Sequence, residues 1–308
     1  MSRGKIVNCF YDGSESGFGD FLRGSIYLYG FCKHLGVDFD IDLSHHPIKK
    51  YFNIKDGGFN KTKINDLCVK VKKEFGTFKF AQNLNREVFK IVSLSEKDKT
   101  NYIFSHFNNY CLLLGRRIIE QINQSPPINI DCAKWFKKKL KFSDAISSAT
   151  KEVCAGKPFN IIHFRLGDDL SFYSSDSDNY VPSFNECLKI CQECYYDFNE
   201  KLPLVIISDN NDLKSYLKRN KKDLPLIIPH TQSCHTQEKP SGCEDFNAEV
   251  TNEGLFHAVL DMKLVSLAKE GKSFSVYDHG SGFFTWICKI YNVPFCLTKF
   301  AKESIINS

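Results

Sequence analysis

No stretch of the chain approaches the ~18 to 20 consecutive apolar residues that a membrane-crossing helix needs. The opening Met1 to Phe10 lacks the layout of a secretion signal, because only a short apolar stretch precedes Asp12. An intracellular, cytoplasmic protein is expected. Strong charge of one sign is missing too: 41 basic and 36 acidic residues leave a formal +5, too little for a nucleic-acid footprint. The basic segments Lys137-Lys138-Lys139 and Lys218-Arg219-Asn220-Lys221-Lys222 are short, carry no interleaved aromatic platform, and are more simply solvated helix faces. Cysteine is plentiful at 13, but the number is odd and the residues are scattered, which argues against a disulfide scaffold. Cys187, Cys191 and Cys194 fall on one helical face. A zinc site there would want a fourth ligand, and Cys234, His235 and Cys243 lie in a distant polar loop, so a plain core face is expected.

What is present fits a soluble globular chain of 308 residues, 42% hydrophobic and 25% charged, long enough for two domains. An apolar run from Lys5 to Tyr11 leads into a Gly/Ser-rich loop from Asp12 to Gly19. Phe21, Ser25, Leu28, Cys32 and Leu35 then recur at helical spacing, and Val37 to Leu43 follows as a strand. Strand, glycine loop, helix and strand make a βαβ unit that begins a parallel sheet. Short strand-like pieces such as Val88 to Leu94 follow, with helical patterns at Ser105 to Gln121 and Cys132 to Ile146. A polar connector at Lys151 to Pro158 marks the boundary between a first domain, 1–150, and a second, 151–308.

In the second domain strand and helix alternate: Phe159 to Phe164, Ser183 to Phe198, Leu204 to Ile207, Asn211 to Lys218, Leu226 to Ile228, Leu255 to Ala268, Ser273 to Val276, and Ser281 to Tyr291. This is a doubly wound α/β pattern, in which ligands bind beyond the carboxyl ends of the strands. His163-Phe164-Arg165-Leu166-Gly167-Asp168-Asp169 closes the first strand, with His163 and Arg165 on one face and Gly167 allowing a tight turn. The planar fork of Arg165 suits a phosphate or diphosphate. Asp209, after the next strand, grips a base or ribose, or simply caps the following helix. Gly280-Ser281-Gly282 with Thr285 opens the last helix, and helix N-termini receive phosphate well.

The order of these pieces resembles the three-motif pattern of the α1,2-, α1,6- and protein O-fucosyltransferase superfamily. His163-Phe164-Arg165-Leu166-Gly167-Asp168 is the most specific element. The likeness covers the first forty residues weakly and Phe159 to Tyr291 fairly well, while Asn53 to Ser147 matches nothing. It implies a GT-B-like fold, two Rossmann-like domains facing a cleft: an acceptor-side domain at 1–150 and a nucleotide-sugar-binding domain at 151–308. It further implies inverting transfer of fucose from GDP-fucose to a glycan or glycoconjugate hydroxyl, with no metal or other cofactor. By that likeness Arg165 holds the β-phosphate and assists departure of GDP, and His163 and Asp209 contact the nucleoside. Gly167, Asp168, Gly280, Ser281, Gly282 and Thr285 complete the donor side, with Gly17 and Gly19 in the amino-terminal loop. The chain lacks the paired arginines of some members and has Gly-Ser-Gly-Phe-Phe-Thr where a Ser-rich turn is usual, which bears on the donor sugar more than on the fold.

Inverting transfer benefits from a carboxylate that deprotonates the acceptor, and Asp12, Glu15 and Asp20 are available. Asp20 is the first choice, although an Asp before Phe21 is also a good helix N-cap. Two other functions compete. Asp176-Ser177-Asp178 has the Asp-x-Asp form that binds Mn²⁺ or Mg²⁺ in metal-dependent UDP-sugar enzymes, but it sits in a Ser/Asp loop with no strand leading into it. A catalytically inactive nucleotide- or glycan-binding module is the other. The missing leader and anchor are compatible with a bacterial or viral origin.

Overall fold

The computed structural model describes residues 5–11, 17–36, 38–54, 101–103, 130–167, 182–231, 252–277 and 281–300. These form two compact units, one of the described residues up to Lys141 and one of those from Phe142 onward. The expected pieces at Val88 to Leu94 and Ser105 to Gln121 lie outside the described residues.

In the first unit, β1 (Lys5–Tyr11), helix α1 (Phe18–Leu35) and β2 (Asp38–His45) form the expected βαβ unit, and β3 (Asn101–Ile103) completes a parallel sheet of order β2-β1-β3. The helix exists because Phe18, Phe21, Leu22, Ile26, Tyr29 and Cys32 make one buried face. A polar tie sets its register on the sheet: Asn8 donates to Ser25 Oγ at 2.8 Å, and that hydroxyl donates to the Phe21 carbonyl at 2.7 Å. The helix ends at Gly36, whose φ of 65° lets its N–H turn back to the Cys32 and Lys33 carbonyls. Phe10 packs against Phe18 and Phe21 at ring separations of 5.3 and 5.1 Å, fixing the helix start beside the carboxyl end of β1.

Cys132 to Ile146, expected as one helix, is two: α2 (Ile130–Lys139) in the first unit and α3 (Asp144–Cys154) in the second. Apolar spacing runs on through Leu140, Phe142 and Ile146, but Ser143 interrupts it as an N-cap that accepts from the Ile146 N–H at 3.5 Å. α3 also runs into the polar stretch taken as a connector; the turn itself is Ala155-Gly156, with φ of 50° and 69°.

The second unit carries β4 (Asn160–Arg165), α4 (Phe184–Asp197), β5 (Leu204–Ser208), α5 (Asn211–Asn220), β6 (Leu226–Ile227), α6 (Asn252–Leu267), β7 (Gly271–Ser275), α7 (Gly282–Tyr291) and β8 (Phe295–Lys299). All five strands are parallel, in the order β6-β5-β4-β7-β8. From β4 the chain crosses to β5 on one side and later returns to β7 on the other, so the strand order reverses between β4 and β7. Ile162 and Phe164 face a core built with Cys187, Cys191, Cys194 and Leu213 of α4 and α5. The three cysteines are free, buried thiols, as the core-face expectation has it, and burial pushes those of Cys187 and Cys194 up to about 12. On the opposite face His163 stacks on Phe284 of α7, and Ile161 and Phe284 both border Gly271. β8 is an element that the sequence pattern does not disclose, because four of its five residues are exposed and nothing alternates.

Helix α7 lies close over β7. A methyl at Gly271 would sit 2.8 Å from the Phe284 ring and 3.2 Å from Ile161 Cγ2, so Gly271→Ala forces ring or strand to shift. Equilibrium urea unfolding should show a loss of about 1–3 kcal/mol; a wild-type midpoint would mean that Phe284 does not rest on the strand.

Candidate active site

Arg165 is the last residue of β4 and lies at the point where the strand order reverses. Its guanidinium Nη1 donates to Asp209 Oδ2 in an ion pair, and its Cζ stands 5.4 Å from the Tyr277 ring. The side chains of Arg165 and Asp209 are 30% and 12% exposed, so the pair sits at an opening and not in the core. The carboxylate of Asp209 does more than balance that charge. Its Oδ1 accepts from the Leu166 N–H at 2.8 Å and its Oδ2 from the Gly167 N–H at 2.9 Å. The turn after β4 is thereby wrapped around Asp209, and Gly167 takes φ of 84° to allow it.

Asp209 does not cap the next helix. Asn210 does, accepting from the Leu213 N–H at 2.9 Å, because Asp209 is turned back toward β4. β7 is tied to the same corner: Val276 N–H donates to the Arg165 carbonyl at 3.1 Å, and Tyr277 N–H to Ser275 Oγ at 3.0 Å.

His163 shares the Arg165 face, as alternation requires, but its ring is buried. It stacks on Phe284 with centroids 5.3 Å apart and an interplanar angle of 13°, while Nδ1 lies 2.9 Å from Ser273 Oγ on the neighbouring strand. Burial, helped by the Arg165 charge, lowers its pKa to about 3, so the imidazole is neutral. The described partners of the ring are Phe284 and Ser273, and it supports the start of α7 from beneath.

Ser281 is the N-cap of α7, accepting from the Phe284 N–H at 3.3 Å, and Thr285 N–H donates to the Ser281 carbonyl at 3.0 Å. The amides of Gly282 and Phe283 have no acceptor within the helix. Packing does not demand glycine at 282, where a methyl would meet only Trp286 Cδ1 at 3.9 Å. Asp168 and Gly280 lie outside the described residues, as do Asp12, Glu15 and the Asp176–Asp178 pair.

In the first unit the helix begins earlier than expected. Gly17 is the N-cap of α1, without a side-chain bond, so Gly19 and Asp20 are the second and third helical residues. Asp20 is therefore not the cap.

One residue escapes the sequence reading. Asp261, inside the apolar run of α6, has an Oδ1 that is buried and without a hydrogen-bond partner. Burial raises its pKa to about 7, against the opposing pull of Lys214 and a hydrogen bond with Thr231. Lys214 is itself buried, donating to the Thr231 carbonyl and, at 3.4 Å, to Thr231 Oγ1. His257, one turn earlier on α6, has its pKa lowered by burial. An acid set directly between Val259-Leu260 and Met262, all buried, is the signal that would have found Asp261.

No protein-family model matches the chain, and no curated protein is significantly similar to it. Solved structures do resemble it. Arabidopsis thaliana FUT1, solved with GDP, is 10% identical with a TM-score of 0.53, over 96% of this chain and 71% of that one. Fucosyltransferase NodZ from Bradyrhizobium is 10% identical at 0.50, over 93% and 92%. The α-1,6-fucosyltransferase NodZ co-crystallised with GDP is 10% identical at 0.51, over the same shares. At this identity the likeness establishes the fold, a GT-B-like α/β architecture.

Asp261 makes the second unit sensitive to pH. Its folded pKa lies above the ordinary value of 3.8, so the stability that its neutral form lends is full below pH ~4 and is lost as pH rises through about 7. His163 acts in the opposite sense, its contribution being lost as pH falls from ~6.5 toward 3. The variant Asp261→Asn separates the two: it should gain on wild type by on the order of 3–4 kcal/mol between pH 4 and 8 in urea titrations. A difference that stays constant with pH would refute the buried, neutral carboxyl.

Proposed function

We propose that the chain is an inverting glycosyltransferase that moves fucose from GDP-fucose to a hydroxyl of a glycan or glycoconjugate, without a metal ion. The observation that carries this is the Arg165–Asp209 arrangement at the strand-order reversal, a part-exposed guanidinium held in place by a carboxylate that two backbone amides also fix. A fork held in this way is suited to a diphosphate, and it would be aimed before the donor arrives. The start of α7 adds the Gly282 backbone amide and the Ser281 and Thr285 hydroxyls as donors for phosphate oxygens. That NodZ and FUT1 were solved with GDP supports a guanine nucleotide in particular.

In the proposed reaction the bond from the sugar anomeric carbon to the diphosphate breaks and the electron pair leaves with GDP. Arg165 stabilises the charge that develops there. The acceptor oxygen bonds to the opposite face of the anomeric carbon, and its proton passes to a carboxylate, for which Asp20 is the first candidate.

GDP should raise the melting temperature in excess EDTA, and more than UDP does, since a ligand that binds only the folded state stabilises it. A larger shift with UDP, or one that requires Mn²⁺, would replace the donor with a UDP-sugar. A GDP shift with no turnover of GDP-fucose on any glycan would leave a nucleotide-binding module. With turnover in hand, Arg165→Ala should lower kcat by ~100-fold or more, and Arg165→Lys should also be poor because a point charge cannot replace the fork. Near-native rates in either variant would remove Arg165 from the chemistry.

Asp20 is tested by Asp20→Asn. The third position of α1 needs no capping oxygen, so the loss of charge should cost only about 0.3–1 kcal/mol in unfolding, whereas loss of a general base should cut transfer roughly 100-fold. Wild-type transfer by a stable Asn variant would move the base to Glu15 or Asp12.

A further inference from the structure

Helix α2 shows solvent a side that is basic and, at one end, apolar. Ile130 is 71% exposed, Lys134 and Lys138 are exposed and Lys137 is half-exposed. At 100° per residue these four share an arc of about 100°. Lys141, also exposed, follows just beyond the helix end. The opposite side of α2 is buried through Cys132, Ala133 and Phe136. Between the two, Trp135 packs at 5.3 Å on both Tyr29 and Phe39.

Lys139 is paired with Asp40, but Lys134, Lys138 and Lys141 make no ion pair with any described residue. The single acid of the helix is Asp131, in its first turn. From α1, exposed Lys33 adds a further positive charge, its Nζ lying 5.8 Å from the Tyr29 ring against which Trp135 packs.

We propose that this side of α2 docks the protein on an anionic phospholipid bilayer. Lysines spaced along an exposed face match a sheet of phosphate headgroups, and each raises partition to an anionic membrane about fivefold, so three give roughly a hundredfold. The exposed Ile130 distinguishes a bilayer from a nucleic acid: an isoleucine can enter the headgroup and acyl boundary, but has nothing to bind among phosphates and sugars. Bases would want an exposed aromatic platform, and the aromatic residue here, Trp135, is committed to its packing. No helix among the described residues is long and apolar enough to cross a membrane, so the attachment is peripheral. The proposal does not depend on the transfer reaction.

The test is flotation of the full chain with large unilamellar vesicles of phosphatidylcholine, with or without about 30% phosphatidylglycerol, in about 0.1 M salt. Binding should require the anionic lipid, weaken at ~0.5 M salt, and fall about a hundredfold in the triple variant Lys134→Gln, Lys138→Gln, Lys141→Gln. Ile130→Ser should lower it a few fold further. The side chains changed are exposed, so both variants should keep the wild-type melting curve. If the triple variant melts early, the single changes Lys134→Gln and Lys138→Gln, each about fivefold weaker, take its place. Absence of anionic-lipid-dependent binding overturns the proposal, as does wild-type binding by the lysine variants. Lysine-dependent binding to single-stranded RNA without binding to vesicles would overturn it in favour of a nucleic-acid partner.

Discussion

Asp209 answers three donors at once, the Arg165 guanidinium and the Leu166 and Gly167 amides, and it reaches all three from the bend just after β5. A backbone N–H left without an acceptor costs about 1–3 kcal/mol, so the turn after β4 holds its shape only while that carboxylate stands beneath it. The turn in turn fixes where β4 stops and where Arg165 begins to point outward. Gly167 belongs to the same constraint, because a φ of 84° is strained for any residue with a Cβ. A single carboxylate beyond the end of the neighbouring strand thus decides both the end of the central strand and the aim of its cation.

Beside that corner a second layer sets the start of α7. Phe284 lies over Gly271 and against His163, and His163 is tied to Ser273 across the β4–β7 pair. The layer works only with a neutral imidazole, since a charged ring would have to be buried beside Arg165. Small residues on β7, Gly271 and Ser273, leave the room that the two rings fill. The seat of the helix N-terminus is therefore a packing result, whereas the aim of Arg165 is a hydrogen-bonding result.

Features governed by neighbours in sequence were legible and those governed by distant partners were not. Ser183 and Glu186, three apart, form a reciprocal capping box, and α4 starts where that pair puts it. The periodic apolar face of α1 likewise announces itself. Gly17 misled because a glycine cap leaves no side-chain mark, which made Asp20 look like the boundary. Asp209 looked like a cap because the partners that turn it away lie 42 to 44 residues earlier. The packing of His163 on Phe284 and Ser273 was hidden as well, because alternation gives the face of a side chain but not what covers it. β8 was hidden by its exposure.

The strand order also has a consequence for synthesis. β4 is the central strand of its sheet, yet one of its partners, β7, comes long after it: His163 and Ser273 are 110 residues apart. At roughly 5–20 residues per second, a ribosome needs about 5–20 s to travel between them. Throughout that interval β4 can pair with β5 alone, and the edge that carries Ile161 and His163 stays open. Nascent chains of this protein consequently pass through a stage with one unpaired, apolar strand edge, which is the stage at which a chaperone would have most to hold and at which two unfinished chains would most readily stick together.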